Sequence, residues 1–188
     1  MKANNGTGNN ESRDEWQTPQ WLFDILNKQY KFNFDCCASL KNHKTMEFTT
    51  GFEDCYPANN SICWMNPPFS IAWEMFEHFF ENIEKGVAIY RCDNFETKIW
   101  QEVIFPSATW IFIPNKRICY VGMEGKGSRF PSALIGYNVS KPIGLQGITL
   151  EVRMNQSKPD ECLSVVTNRD VKERKVNPNS SGLRGLCL

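Results

Sequence analysis

The sequence predicts one α/β domain whose largely parallel sheet ends in antiparallel strands. Two observations predict this class. Short apolar runs typical of strands alternate with amphipathic stretches typical of helices up to about residue 105, and three strand-like runs then follow without a helix between them. The chain has 188 residues, which suits one domain of ordinary size.

The first elements are a helix and a short strand. A helix is predicted over residues 18–30, with Thr18 as its N-cap, Pro19 at the first helical position and apolar side chains on one face between 21 and 26. The next segment, KFNFD, alternates apolar and polar residues and predicts a strand that ends at Asp35.

The middle of the chain supplies the predicted core. Residues 61–65, SICWM, form an apolar run typical of a buried central strand. Aromatic side chains at three- and four-residue spacings predict an amphipathic helix over residues 71–83, stopped by Gly86. A strand is predicted at VAIY and a helix at FETKIWQEVIF, and the last three predicted strands are TWIFI, RICYV and SALIGY.

The outer parts of the chain lack such patterns. Residues 1–13 are rich in Asn, Gly and Ser and are predicted to be a disordered arm. Residues 14–140 are predicted to form the folded domain, and residues 141–188 a tail or small β-rich appendage. We find no apolar run long enough for a membrane span and no secretory signal, so a cytoplasmic protein is expected.

Composition argues against two classes of site. Lys plus Arg equals Asp plus Glu at 21 each, so no global basic field indicates nucleic acid, although a local patch can still bind it. The eight cysteines are scattered without the spacing of zinc ligands, and only two histidines accompany them. We therefore expect free thiols and no metal.

The tetrapeptide Asn66-Pro67-Pro68-Phe69 follows the predicted central strand directly. Ligands of open α/β sheets gather at the carboxyl ends of strands, so this position is a site candidate. The prolines restrict the backbone and hold their carbonyls as acceptors, while the Asn66 side chain adds another acceptor. The Phe69 ring can stack on a flat substrate. These groups suit an aromatic amine, although a proline-rich turn with Phe69 in the core is the structural alternative.

Four segments in family order resemble the phage-type DNA N-6-adenine methyltransferases: DEWQTPQWLFDIL, FNFDCCAS, WMNPPFS and RFPSALI, spread from about Asp14 to Tyr137. The resemblance implies a Rossmann-like class I methyltransferase fold and residues 14–140 as the methyltransferase domain. It implies transfer of a methyl group from S-adenosylmethionine to the N6 amine of adenine in DNA, as phage DNA modification against restriction in a bacterial or phage-infected cell.

The resemblance also implies residue roles. Asn66 and the Pro67 carbonyl would accept hydrogen bonds from the target amine beside Pro68, and Phe69 would stack on a flipped-out adenine. The cofactor would be held by residues that match the family's Thr-Pro element, its turn after the first strand and an acidic position further on: Thr18, Pro19, Asp35, Cys36, Ala38 and Asp54. That turn reads DCCAS here, where the family tends to carry Asp-Pro-Ala-Ala-Ser.

DNA contacts are expected from the basic stretch NKRICYVGMEGKGSRF, which carries Lys116, Arg117, Lys126 and Arg129 among glycines. A solvated hairpin is the alternative interpretation. Arg91 and Asp93, which follow another strand, are either substrate contacts or surface charges.

The sequence leaves two rival functions open. The same tetrapeptide chemistry accommodates the exocyclic amine of cytosine, RNA or a protein glutamine amide, each of which presents a planar amine. A catalytically inactive nucleic-acid-binding relative is the third class, because the turn at Cys36 departs from the family pattern. An acceptor assay separates the enzymes, and cofactor binding argues against the inactive relative.

Overall fold

The computed structural model describes residues 14–51, 56–122 and 130–152. One seven-stranded sheet runs through these residues. Its strands are β1 Phe34–Asp35, β2 Glu47–Phe48, β3 Cys63–Met65, β4 Gly86–Arg91, β5 Trp110–Pro114, β6 Ser132–Tyr137 and β7 Gly147–Glu151.

The helices lie between these strands. The first is α1, Gln20–Tyr30. A 3-10 turn at Phe69–Ile71 leads into α2, Ala72–Asn82. A π-helical segment at Ile99–Ile104 continues into the short α3, Phe105–Ser107. None of the helices in the described ranges is both long and apolar enough to cross a membrane.

The directions of the strands place most of their carboxyl ends at one edge of the sheet. The strand order is β2-β1-β3-β4-β6-β5-β7. The first four strands in that order are mutually parallel, while β6 is antiparallel to both β4 and β5, and β7 is antiparallel to β5. The carboxyl ends of β1, β3, β4 and β5 therefore face the same edge, which we call the carboxyl edge.

A helix covers each face of the sheet. Along β4, Val87 and Ile89 pack in one apolar cluster with α1, whereas Ala88 and Tyr90 pack in the other with α2. This alternation follows from the two-residue side-chain period of a strand. Both faces of the central strands are covered, which explains why β3 and most of β4 are buried and almost wholly apolar.

The sheet confirms most of the predicted elements and corrects several. The strands at β1, β3, β4, β5 and β6 and the antiparallel finish were predicted, and the structure confirms them. The predicted strand RICYV is wrong, because only Val121 in it pairs, as an isolated bridge with Gln17. The predicted helix FETKIWQEVIF forms only from Ile99, mostly as a π-helix.

Two strands were not predicted. β2 is only two residues long, and β7 lies beyond the boundary predicted at residue 140. β7 pairs with β5 over five positions from Gly147 to Glu151, so the sheet extends past that boundary. The predicted N-terminal arm and the chain after residue 152 lie outside the described residues.

The start of α1 differs from its prediction. Pro19 occupies the N-cap position with an extended backbone, and its carbonyl accepts hydrogen bonds from the backbone N–H groups of Leu22 and Phe23. The prediction that Thr18 caps this helix is wrong, because the Thr18 hydroxyl makes no such bond.

Gly86 has a different role from the predicted helix stop. Helix α2 already ends at Asn82, and Gly86 is the first residue of β4. A Cβ atom at Gly86 would lie 2.6 Å from the Cys63 carbonyl oxygen and 2.9 Å from the Phe79 ring. Glycine is therefore required for the close packing of β4 against β3 and α2.

Candidate active site

A cavity of about 320 Å³ opens at the carboxyl edge between β1 and β3. From β1 the sheet continues in one direction to β2 and in the other to β3, so the strand order reverses at this point. Ligands of open α/β sheets bind at such switch points. The cavity brings together five of the residues predicted from the sequence: Thr18, Asp35, Ala38, Asn66 and Pro68.

Asn66 follows β3, and its amide orientation is fixed by a hydrogen bond. The Asn66 Nδ2 atom donates to the backbone carbonyl oxygen of Trp16 at 2.8 Å. A carbonyl oxygen only accepts, so the amide nitrogen must face Trp16 and Oδ1 must lie on the other side. No donor to Oδ1 is found among the described residues, which leaves this oxygen to accept from a ligand.

Phe69 lies in an aromatic cluster beside Asn66. Its half-buried ring has centroid distances of 6.1 Å to Trp16, 5.9 Å to Tyr90 and 5.5 Å to Phe130. The contacts with Trp16 and Phe130 are edge-to-face, a favourable aromatic geometry. Pro67, between Asn66 and Pro68, is buried. The tetrapeptide is thus held by packing on several sides, with part of the Phe69 ring still accessible.

Thr18 lines the cavity and carries a buried hydroxyl. The residue is 1% exposed, and its Oγ1 has no hydrogen-bond partner among the described residues. Buried polar groups in folded proteins are nearly always hydrogen-bonded, so an unpaired one in a cavity wall indicates a missing partner. Pro19 is also buried, as the cap of α1, and does not line the cavity.

Asp35 is a buried carboxylate at the end of β1. It is 2% exposed and accepts the backbone N–H groups of Lys44 at 3.0 Å and Cys37 at 3.4 Å. Burial raises its pKa to about 6, although these two hydrogen bonds oppose the shift. Burial also lowers the pKa of the Lys44 ammonium, and the Asp35 charge opposes that change. Asp35 therefore shapes the turn after β1 and adds a titratable group to the cavity.

The turn after β1 presents a different cysteine from the one predicted. The Cys36 side chain is fully buried in the core cluster on the α2 side, and its backbone N–H donates to the Trp64 carbonyl at 2.9 Å. Cys37 and Ala38 line the cavity instead. The prediction did not include Trp16, Lys41, Asn42 and Lys44, which also line it. The sequence signal that could have placed them in the cavity is their position, either between β1 and β2 or just before Thr18.

A second cavity, of about 420 Å³, lies at the carboxyl end of β4, the neighbour of β3. Arg91 Nε donates to Asp93 Oδ1 at 2.7 Å, and Arg91 Nη2 also contacts Asp93 Oδ2. This pairing raises the pKa of Arg91 and lowers the pKa of Asp93. The Arg91 guanidinium carbon also lies 5.0 Å from the centroid of the Phe130 ring. Arg91 and Asp93 line this cavity together with Tyr90, Asn94, Thr97 and Trp100.

The predicted DNA contacts are only partly within the described residues. Lys116 and Arg117 are exposed just after β5, at the carboxyl edge. Lys126, Arg129 and Asp54 lie outside the described residues. The described ranges contain no group of three or more His, Cys, Asp or Glu side chains that can hold a metal ion.

The model of one protein family, described as DNA N-6-adenine-methyltransferase (Dam), matches residues 5–135. The chain belongs to the Dam family. The match covers 131 of 188 residues and includes all four segments on which the resemblance was based, so the predicted family is confirmed. No curated protein and no solved structure matches the chain. Dam-family membership makes DNA adenine methylation, a transferase reaction, the activity to test against the geometry of the site.

Proposed function

We propose that this Dam-family chain transfers a methyl group from S-adenosylmethionine to the N6 amine of adenine in DNA. The observation that carries the proposal is the Asn66 amide, which the Trp16 carbonyl fixes with Oδ1 left to accept. An acceptor held in this way suits an amine that must be positioned for attack. Positioning of the reactants can lower the barrier by roughly 7–11 kcal/mol.

The β1–β3 cavity fits the cofactor. Its volume of about 320 Å³ falls in the usual range of roughly 300–1,000 Å³ for small-molecule sites. The Thr18 hydroxyl, which has no partner in the described part of the chain, and the Asp35 carboxylate are suited to the polar methionine end of the cofactor. Ala38 and Cys37 line the turn beside them. S-adenosylmethionine, when bound, supplies an electrophilic methyl group on a sulfonium.

The tetrapeptide would bind the acceptor. Asn66 Oδ1 and the Pro67 carbonyl would each accept one N–H of the adenine amine, which orients its lone pair for attack. Asn66 is a neutral amide and not a strong base, so its role is to hold the amine. Phe69 would contact the adenine ring, and stacking on an aromatic side chain contributes about 1–3 kcal/mol per base. That contribution offsets part of the few kcal/mol needed to extrude the base from a duplex.

The strand order supports the Rossmann-like class I methyltransferase fold that the resemblance implies. The sheet has parallel strands on both sides of the β1–β3 switch point, and antiparallel β6 is inserted between β4 and β5. We propose residues 14–140 as the methyltransferase domain, extended by β7 at the sheet edge. Lys116 and Arg117, with Lys126 and Arg129, would contact DNA phosphates. The biological setting proposed is DNA modification against restriction in the cytoplasm of a bacterial or phage-infected cell.

The test is transfer of labelled methyl from S-adenosylmethionine to unmethylated double-stranded DNA, followed by analysis of the nucleosides. Three proteins are compared: the unaltered chain, Asn66→Ala, and Asn82→Ala as an exposed asparagine control at the end of α2. We expect N6-methyladenine from the first and third proteins and at least a 100-fold loss with Asn66→Ala. Label in N4-methylcytosine would contradict the adenine assignment, as would methylation of RNA or of a protein glutamine when either replaces DNA as the acceptor. Failure to bind the cofactor would indicate a catalytically inactive relative.

A further inference from the structure

The cavity at the end of β4 adjoins the tetrapeptide loop on the side away from β1. Tyr90, which lines this cavity, has its ring centroid 5.9 Å from that of Phe69. Arg91, which also lines it, stacks over Phe130, and the Phe130 ring meets Phe69 edge-to-face at 5.5 Å. β3 and β4 are adjacent and parallel, with Met65 opposite Ala88. The loop from Asn66 to Phe69 therefore lies between this cavity and the β1–β3 cavity.

Arg91 is held in one orientation before any ligand arrives. Asp93 binds it side-on through Nε and Nη2, and the Phe130 ring lies against the guanidinium. The side-on arrangement occupies one edge of the guanidinium and leaves the Nη1 edge available, with no partner for it among the described residues. An arginine fixed in this way is a preorganised donor.

The charge balance of this cavity favours a neutral ligand. Among the described residues that line it, the only formal charges are the Arg91 cation and the Asp93 anion, which neutralise each other. A phosphate group would gain attraction from Arg91 but meet repulsion from Asp93 close by. A neutral heterocycle avoids this conflict, because it can accept from Nη1 with its ring nitrogen and lie against the aromatic side chain of Tyr90.

We propose that Arg91 positions the acceptor base, by donating from Nη1 to a ring nitrogen beside the exocyclic amine of the extruded base. This inference rests on the proposed function. Adenine has an acceptor nitrogen on each side of its amine, N1 and N7. Cytosine has one such acceptor, N3, so the contact orients an amino base and does not by itself separate adenine from cytosine. Arg91 thus adds to Asn66 a second polar contact with the acceptor base.

The experiment pairs enzyme variants with altered substrates. The methylated position is first mapped with the unaltered chain, and duplexes are then made with adenine, 1-deazaadenine or 7-deazaadenine at that position. Arg91→Ala, Arg91→Lys and Lys98→Ala are compared with the unaltered chain by kcat/KM. Lys98 is an exposed cation seven residues away that does not line the cavity, and it serves as the matched control. Thermal melting and cofactor affinity verify that each variant is folded.

We expect the unaltered chain and Lys98→Ala to lose about 10- to 100-fold on one of the two deaza substrates, as for removal of a hydrogen bond to a charged group. Arg91→Ala should show a similar loss on adenine itself but no further loss on that deaza substrate. The activity of Arg91→Lys on adenine should lie between those of the unaltered chain and Arg91→Ala. Lysine keeps the positive charge but lacks the planar, forked set of donors by which Asp93 orients arginine. Suppose that Arg91→Ala has a kcat/KM lower than that of the unaltered chain by the same factor on each of the three substrates. Arg91 then acts only through the packing of Phe130, and the inference is overturned. If the unaltered chain methylates no DNA, the proposed function fails with it.

Discussion

The two cavities beside the tetrapeptide loop differ in how their polar groups are satisfied. In the β1–β3 cavity, Thr18 and Asp35 are almost fully buried, and the Thr18 hydroxyl has no partner within the described part of the chain. In the β4 cavity, Arg91 and Asp93 are partly exposed and already paired with each other. The first arrangement is costly without a ligand and the second is not.

This difference suggests different ligands. A small molecule that enters the β1–β3 cavity can supply the partner that a buried hydroxyl lacks. A base of a DNA chain must enter and leave its site in every catalytic cycle. The Arg91 and Asp93 side chains are partly exposed and paired with each other, so they cost little when no base is bound. We therefore expect changes in the first cavity to alter cofactor affinity and stability, and changes in the second to alter acceptor use.

The largest expected effect comes from the residue between the two cavities. In Asn66→Asp, a carboxylate oxygen would replace the Nδ2 atom that donates to the Trp16 carbonyl at 2.8 Å, so two oxygens would repel each other. We expect the methyl-transfer rate to fall roughly 100- to 1,000-fold, the usual cost of misplacing one preorganised polar group. Initial rates with labelled cofactor measure this loss. Near-normal turnover by the aspartate variant would show that the bond to Trp16 does not position the side chain.

The next effect concerns the pH dependence of stability. Burial raises the Asp35 pKa to about 6, so between pH 4 and 6 the folded state binds this proton more tightly than the unfolded state. The Asp35 contribution is therefore most favourable below about pH 4 and is lost as the pH rises through 6. We expect the unfolding free energy of the unaltered chain, relative to Asp35→Asn, to fall by about 2–3 kcal/mol between pH 4 and pH 7. Urea unfolding at each pH measures it, and a constant difference would contradict the shift.

A smaller effect, with opposite signs in two measurements, is expected for Thr18→Val. The variant removes a buried hydroxyl that has no partner among the residues the structure describes, so stability should stay the same or rise by about 1 kcal/mol. Cofactor affinity should fall about tenfold, as for loss of one neutral hydrogen bond. Thr18→Ser keeps the hydroxyl and is the matched control in calorimetric titration and thermal melting. If Thr18→Val binds the cofactor as tightly as the unaltered chain does, the Thr18 hydroxyl does not contact the cofactor.

The smallest effect is expected at the carboxyl end of β5. Lys116→Ala should weaken DNA binding similarly for all sequences and reduce the salt dependence of the binding constant by about one unit of slope. Lys28→Ala, an exposed lysine in the last turn of α1, is the control. Both effects are measured by determining the DNA-binding constant of each variant over a range of salt concentrations. An equal change in both variants would indicate a general charge effect and not a phosphate contact.

The sequence predicted the parts of the fold that carry their own pattern. β3 was recognisable because a strand covered on both faces is apolar throughout, and the rule that ligands gather at strand ends then made Asn66 a site candidate. Asp35 was expected in the site only because of the family resemblance. β2 was not recognisable, because a two-residue strand is defined by its pairing with β1 and has no periodicity of its own. The segment RICYV has the composition of a strand, but Val121 finds only the single partner Gln17.

The same limit applies to the site. The family pattern located the turn after β1, but which of Cys36 and Cys37 faces the cavity depends on the backbone path of that turn. Thr18 was expected to cap α1, a local role, but Pro19 begins the helix and the Thr18 hydroxyl has no hydrogen-bond partner among the described residues. Arg91 pairs with Asp93 locally, two residues along the chain, but its stacking on Phe130 depends on β6 lying next to β4, which is a tertiary fact.

The most direct test of the two-cavity account is a crystal structure of the chain with S-adenosylhomocysteine and a duplex that contains the methylated site. The account expects the cofactor product in the β1–β3 cavity, with a hydrogen bond to Thr18 Oγ1, and the target adenine between Phe69 and Arg91, with its amine at Asn66 Oδ1. A cofactor product bound beside Arg91 and Asp93, or an adenine that contacts neither Asn66 nor Arg91, would contradict it.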